Sequence, residues 1–137
     1  MQLKTDKFLQ VVDCLPNLLT AASREDFTIA VATLMPISIE PYCVLTGHKN
    51  FVTAIKLTSD CRFLISGDAD GVVIKWDLQN FGEQHRVISE SKHESPVYII
   101  CFDNNEQFKT VSIDGKIKFW LLKPFKEYYI AETGKFL

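Results

Sequence analysis

The sequence predicts an all-β chain built from antiparallel four-stranded units, repeated about three times. Three observations carry this. β-Branched and aromatic residues fall in short runs bounded by Asn, Asp, Ser and Gly, the pattern of strands with tight turns, and no segment shows a convincing helical period. Asp70-Gly71 and Asp114-Gly115 each sit between two such runs, and a glycine that accepts positive φ is the turn chemistry of a hairpin. The chain also repeats itself: Asp70-Gly71 and Trp76 recur as Asp114-Gly115 and Trp120 after 44 positions, and His48 recurs as His93 after 45.

In order along the chain, the first copy is degenerate. Its strand-like run Phe8 to Val12 aligns with Val52 to Lys56, and Leu18 to Ala22 aligns with Arg62 to Ser66. Asp26 stands at the turn position, but Phe27 replaces the glycine and Ala32 the tryptophan. The second copy predicts strands at Val52 to Leu57, Phe63 to Gly67, Val72 to Asp77 and Gln84 to Ser89. In the third, Pro96 to Phe102 matches the run from Phe51 to Leu57. The run Lys116 to Trp120 alternates as a strand with one solvated and one buried side. In Val72 to Trp76 that alternation fails, with Ile74 where the third copy has Lys118 and Lys75 where it has Phe119. Either Lys75 snorkels from a half-buried position or its strand faces an unusual neighbour. Thr133-Gly134-Lys135 is similar to Thr46-Gly47-His48, so the third copy ends at the start of a further one. The expected divisions are 1–47, 48–92 and 93–137.

A period near 44, a Gly-His opening, an Asp-Gly turn and a closing Trp-Asp together resemble the WD repeat of β-propellers. The second copy has Gly47-His48, Ser66, Asp70-Gly71 and Trp76-Asp77; the third has His93, Thr110, Asp114-Gly115 and Trp120, with Lys92 for the glycine and Leu121 for the final aspartate. The resemblance implies four-stranded blades, and three of them form an open arc, because such propellers close with about four to eight. It also implies buried hydrogen-bonded chains through His48, Ser66, Asp70 and Trp76 and through His93, Thr110, Asp114 and Trp120. In the first copy the same positions are Lys4, Ala22, Asp26 and Ala32, so that chain is absent and this blade is expected to be the least rigid. A Ser, a His and an Asp within one stretch look superficially like a hydrolase triad. The set recurs in tandem with Thr for Ser, which favours the structural reading.

Composition bounds the rest. The chain has 137 residues, 47% hydrophobic and 23% charged, with formal net charge -2, values of an ordinary globular domain with no global pull toward nucleic acid or anionic membrane. Lys4, Asp6, Lys7 and Asp13 interrupt the first twenty residues, which disfavours a secretory signal, and no apolar run is long enough for a transmembrane helix. The four cysteines are too dispersed for a zinc or redox motif and read as reduced apolar residues. No phosphate loop or paired-carboxylate motif is present, so no enzyme, cofactor or metal is expected.

The resemblance implies a non-catalytic scaffold or adaptor that binds other proteins, in cytoplasm or nucleus and not secreted. Positions facing the narrow mouth of such a ring are Lys49, Phe51 and Ala69, then Glu94, Pro96 and Ile113, with Lys7 and Glu25 in the first copy. Phe51 and Ile113 are large apolar side chains on loops, suited to anchor a partner or else packed against neighbouring loops. An open arc exposes its terminal sheet faces; the ending in mid-register at Gly134 to Leu137 favours a truncated or nonfunctional fragment of a longer protein, ahead of further blades supplied by self-association or by another protein. Substrate recognition in a ubiquitin ligase ranks below these. Lys116, Lys118, Lys123 and Lys126 are the densest basic stretch, but alternate lysines read as the solvated side of a strand, which disfavours nucleic-acid contact.

Overall fold

The computed structural model describes residues 12–14, 19–23, 25–35, 38–78 and 86–132. Within these residues the strands are β1 (Val12–Cys14), β2 (Leu19–Ser23), β3 (Ile29–Met35), β4 (Ser38–Leu45), β5 (Val52–Leu57), β6 (Phe63–Asp68), β7 (Val73–Asp77), β8 (Arg86–Ile88), β9 (Val97–Phe102), β10 (Gln107–Ser112), β11 (Lys116–Leu121) and β12 (Lys126–Glu132). They form three antiparallel sheets of four, each a meander in chain order. Of the run Phe8 to Val12 only Val12 falls within the described residues. Residues 84 and 85, expected in the fourth strand of the second copy, lie outside them.

The turn between the second and third strands of each sheet has one backbone conformation. Gly71 and Gly115 take φ of 85° and 84°, and Phe27, in the corresponding turn, takes 72°. Left-handed backbone disfavours a residue with a Cβ. Phe27 is held there in part by an edge-to-face contact with Phe51, ring centroids 5.1 Å apart.

The second sheet is sandwiched, which sets the pattern of its strands. Successive residues of a strand point to opposite faces, and here both faces are dry. Leu64, Ile74 and Trp76 join Ile29, Val31 and Leu45 in one core, while Phe63, Ile65 and Val73 join Val97, Phe108 and Trp120 in another. All six residues of β6 are buried, as in strands covered on both sides. The third sheet approaches closely because of Gly67, where a Cβ would come within 2.5 Å of the Val97 side chain.

This sandwich explains Lys75. Its face of β7 is covered by the third sheet, and the ammonium crosses to donate to the Leu122 carbonyl at 2.9 Å. The Phe63 ring lies 5.1 Å from the same nitrogen, which supplies a cation–π contact. Burial first, and the nearby Lys123 charge next, hold the Lys75 amine below its usual pKa.

In β11 the expected faces are reversed. Lys118 is 5% exposed and shares the inward face with Trp120 and Thr110, while Ile117 and Phe119 point away from the second sheet. The Lys118 ammonium is accommodated by an ion pair with Glu127, which also accepts from Ser91 Oγ at 2.9 Å. The reading of alternate lysines as a solvated side is thus corrected: a compensated lysine occupies the core-facing register. The opposite face of the third sheet carries Ile99, Cys101, Val111, Ile117, Phe119 and Tyr129 in register, with Lys109, ion-paired to Asp103, between Cys101 and Phe119. Ile99 is 43% and Tyr129 59% exposed, so the described strands leave this face open.

Candidate functional site

Two hydrogen-bonded chains tie the loops that precede β5 and β9 to their sheets. In the second sheet the Trp76 indole N–H donates to Ser66 Oγ at 2.8 Å, and the Ser66 hydroxyl donates to His48 Nε2 at 2.5 Å. His48 Nδ1–H then donates to Asp68 Oδ2 at 2.7 Å. The proton positions follow from the two ends, an indole that can only donate and a carboxylate that can only accept. All four side chains are buried, so each donor and acceptor needs its partner.

The carboxylate of this chain is Asp68, not Asp70. Ser66 and Asp68 lie two residues apart on β6 and therefore share a face. Asp70 has left the strand, and its Oδ1 accepts instead from Asn50 Nδ2 at 3.1 Å. Asp68 Oδ1 further accepts from Asp70 N at 2.9 Å and Val72 N at 3.0 Å, so one carboxylate closes the chain and shapes the turn.

In the third sheet Trp120 Nε1–H donates to Thr110 Oγ1 at 2.9 Å, and Thr110 lies 2.7 Å from His93 Nε2. His93 Nδ1 stands 3.4 Å from Asp114 Oδ2, too long for a full hydrogen bond. Ser112 holds the position equivalent to Asp68 and donates to the Ser95 carbonyl at 2.9 Å. Asp114 accepts from Lys116 N and Glu94 N at 2.8 and 3.0 Å, and it anchors the loop more than the imidazole. Desolvation opposes ionisation, but these two bonds together with the nearby His93 outweigh it, and the Asp114 carboxyl is lowered below its usual pKa. In the first sheet Asp26 is exposed and accepts from Thr28 Oγ1 at 2.6 Å, and Ala32 is buried. Lys4 and Lys7 lie outside the described residues.

Ser66, His48 and Asp68 have the connectivity of a hydrolase triad, but Ser66 is fully buried and its oxygen already accepts from Trp76. A nucleophile needs access to substrate, and this one has none.

Burial, with a further contribution from Lys118, holds the His93 imidazole below its usual pKa, against the pull of Asp114 and Glu127. A neutral folded histidine binds fewer protons than the unfolded one once the pH is below 6.5, the ordinary value. Stability is therefore present above that pH and lost as the pH falls below it. Urea unfolding at a series of pH values is expected to show the midpoint dropping between pH 7 and 5, with a smaller drop in His93→Gln; equal slopes would contradict the assignment.

The loop residues gather at one end of the sheets. Lys49, Phe51, Glu94 and Ile113 are exposed, and Ala69 and Pro96 are half-buried. Ala69 N donates to the Phe51 carbonyl at 2.9 Å and His93 N to the Gly71 carbonyl at 3.0 Å, so the loops are fixed to adjoining turns. Phe51, 40% exposed, both packs on Phe27 and presents surface; Ile113 is 54% exposed. Glu25 is exposed at the neighbouring turn.

Among the described residues no cluster of His, Cys, Asp and Glu is arranged to hold a metal, and no helix is long and apolar enough to cross a membrane. Cys43, Cys61 and Cys101 are free thiols, and burial raises the Cys43 pKa to about 11.

Repeated four-stranded sheets stitched by Trp–Ser/Thr–His chains define a class of repeat protein. The family model described as "WD domain, G-beta repeat" matches residues 39–77 and 84–120, and the chain belongs to that family. Cilia- and flagella-associated protein 52 of Sus scrofa is 34% identical over 82 residues, covering 58% of this chain and 13% of the relative. Small ribosomal subunit protein RACK1 of Medicago sativa is 36% identical over 79 residues, covering 58% of this chain and 23% of that protein. The solved structure of U3-55K superposes with a TM-score of 0.78 at 17% identity, over 93% of this chain and 40% of that one. The chain thus spans under half of each of these proteins.

Sequence reasoning missed Asp68, the Lys118–Glu127 pair and the packing of Phe27 on Phe51. The Asp-Ala-Asp spelling of residues 68–70 did offer two carboxylates, and strand parity from Ser66 selects the first.

Proposed function

We propose that the chain is a non-catalytic scaffold segment that binds other proteins through the loop surface around Phe51 and Ile113. Its open third sheet receives a further blade supplied from outside these 137 residues. The carrying observation is the exposure of large apolar side chains on hydrogen-bonded loops, since rigid apolar anchors lose little entropy on binding. A membership typical of protein-interaction scaffolds supports the reading, although fold alone does not assign a partner. The open face supports the second half: propellers close their sheets against neighbours, and the relatives have the length to supply them. A second chain of the same kind is the alternative source of that blade.

Affinity purification from the native source tests the proposal. A stoichiometric protein partner is expected with the native chain and is lost with Phe51→Asp and Ile113→Asp. A preparation with no partner, or one indifferent to both substitutions, contradicts it.

A further inference from the structure

At the end of the sheets opposite Phe51 and Ile113, the β5–β6 and β9–β10 turns face each other across a cavity of about 600 Å³. Its lining includes Lys56, Thr58, Arg62, Phe63, Asn104 and Lys123. The cations are unusually disposed. Lys123 Nζ lies 5.0 Å from the centroid of the Phe63 ring, and Arg62 Cζ and Lys75 Nζ each lie 5.1 Å from it. One largely buried ring therefore gathers three positive charges, and none of the three makes an ion pair among the described residues. Arg62 Nε is buried without a hydrogen-bond partner.

Three nearby carboxylates, Asp60, Asp77 and Glu106, offset only part of the charge of four cations, Lys56, Arg62, Lys75 and Lys123. Asp60 attracts the Arg62 charge through space, while its Oδ1 stays in its own turn, accepting from Thr58 Oγ1 at 2.6 Å and Arg62 N at 2.9 Å. Asp77 acts on Lys75, and Glu106 lines the cavity from an exposed position on the facing turn. Cation–π contacts with one ring do not offset mutual repulsion among three cations, and a buried donor without an acceptor is costly.

We infer that this cavity binds a small phosphate monoester, with Arg62 and Lys123 contacting the phosphate and Phe63 and Phe102 forming the wall against its organic part. A phosphate monoester brings close to two negative charges and three acceptor oxygens, and a guanidinium fork matches it in a bidentate way. A carboxylate brings one charge to the same cluster. Asn104 and Thr58 stand on the rim as neutral hydrogen-bonding groups. The site is independent of the loop surface at the other end.

Amide NMR of the full chain titrated with inorganic phosphate, phenyl phosphate and benzoate at constant ionic strength tests this. Saturable shifts confined to residues 56–63, 102–106 and 122–123 are expected, with phenyl phosphate bound more tightly than benzoate. Removal of one charged contact weakens phosphate binding roughly tenfold, so Arg62→Gln and Lys123→Gln each show that loss, while Lys126→Gln, away from the cavity, does not. Lys123 is exposed, so its variant keeps the native spectrum. Equal affinity for inorganic and phenyl phosphate identifies the free anion as the ligand and overturns the monoester assignment. Absence of saturation up to about 50 mM, a range that covers millimolar affinities, overturns the site, as does binding that both variants leave unchanged.

Discussion

Gly71→Ala is expected to lose most of the chain's stability, roughly 3 to 5 kcal/mol. Two costs combine at this residue. Its φ of 85° disfavours any Cβ, at about 1–2 kcal/mol. That cost alone is tolerated in this fold, since Phe27 takes nearly the same conformation in the first sheet. The second cost is steric and falls on rigid atoms: an added Cβ would lie 2.0 Å from the His93 carbonyl oxygen and 2.6 Å from its carbon. That backbone belongs to the neighbouring sheet and is fixed by the bond from His93 N to the Gly71 carbonyl. The alanine must either break the contact between sheets or displace the loop that carries Glu94 and Pro96. Urea unfolding measures the loss; a variant within about 1 kcal/mol of the native chain would show that the turn shifts freely.

The second large effect separates two aspartates that are two residues apart. Asp68→Ala leaves His48 Nδ1–H and the amides of Asp70 and Val72 without their acceptor, and removing one member of a buried charged network costs about 3 kcal/mol or more. Asp70→Ala removes one exposed contact with Asn50, worth at most about 1 kcal/mol. In the third sheet the order differs, because Asp114 holds two amides and lies near His93, while Ser112 stands where Asp68 would be. Comparable losses for Asp68→Ala and Asp70→Ala would return Asp70 to the chain.

That contrast shows what a single sequence conveys here. The repeat made the sheets, the turns and the donors legible: Trp76, Ser66 and His48 meet, as do Trp120, Thr110 and His93. A repeat aligns positions, however, and it does not say where a strand stops. β6 runs to Asp68, so its parity brings that carboxylate under the histidine and leaves Asp70 to the turn. Lys118 was misread for a related reason. Alternation gives two faces without saying which is inside, and a lysine paired with Glu127 occupies the inner one. The position of Lys75 follows from β7 being covered on both sides with the Leu122 carbonyl in reach, which local sequence does not encode. The convergence of Arg62, Lys75 and Lys123 on Phe63 involves three different elements, and no local spacing encodes it.

In the proposed function another blade covers the open face of the third sheet. Among the described residues this face presents Ile99, Val111, Ile117, Phe119 and Tyr129 around Lys109, and an exposed apolar register of this kind favours association. Mass by light scattering across a concentration series tests this most directly. The native chain is expected to exceed the monomer mass increasingly as concentration rises, and Ile99→Glu, which places a charge on that face, is expected to return it to monomer. A native chain that stays strictly monomeric at every concentration, with the same cooperative unfolding as Ile99→Glu, would contradict the account.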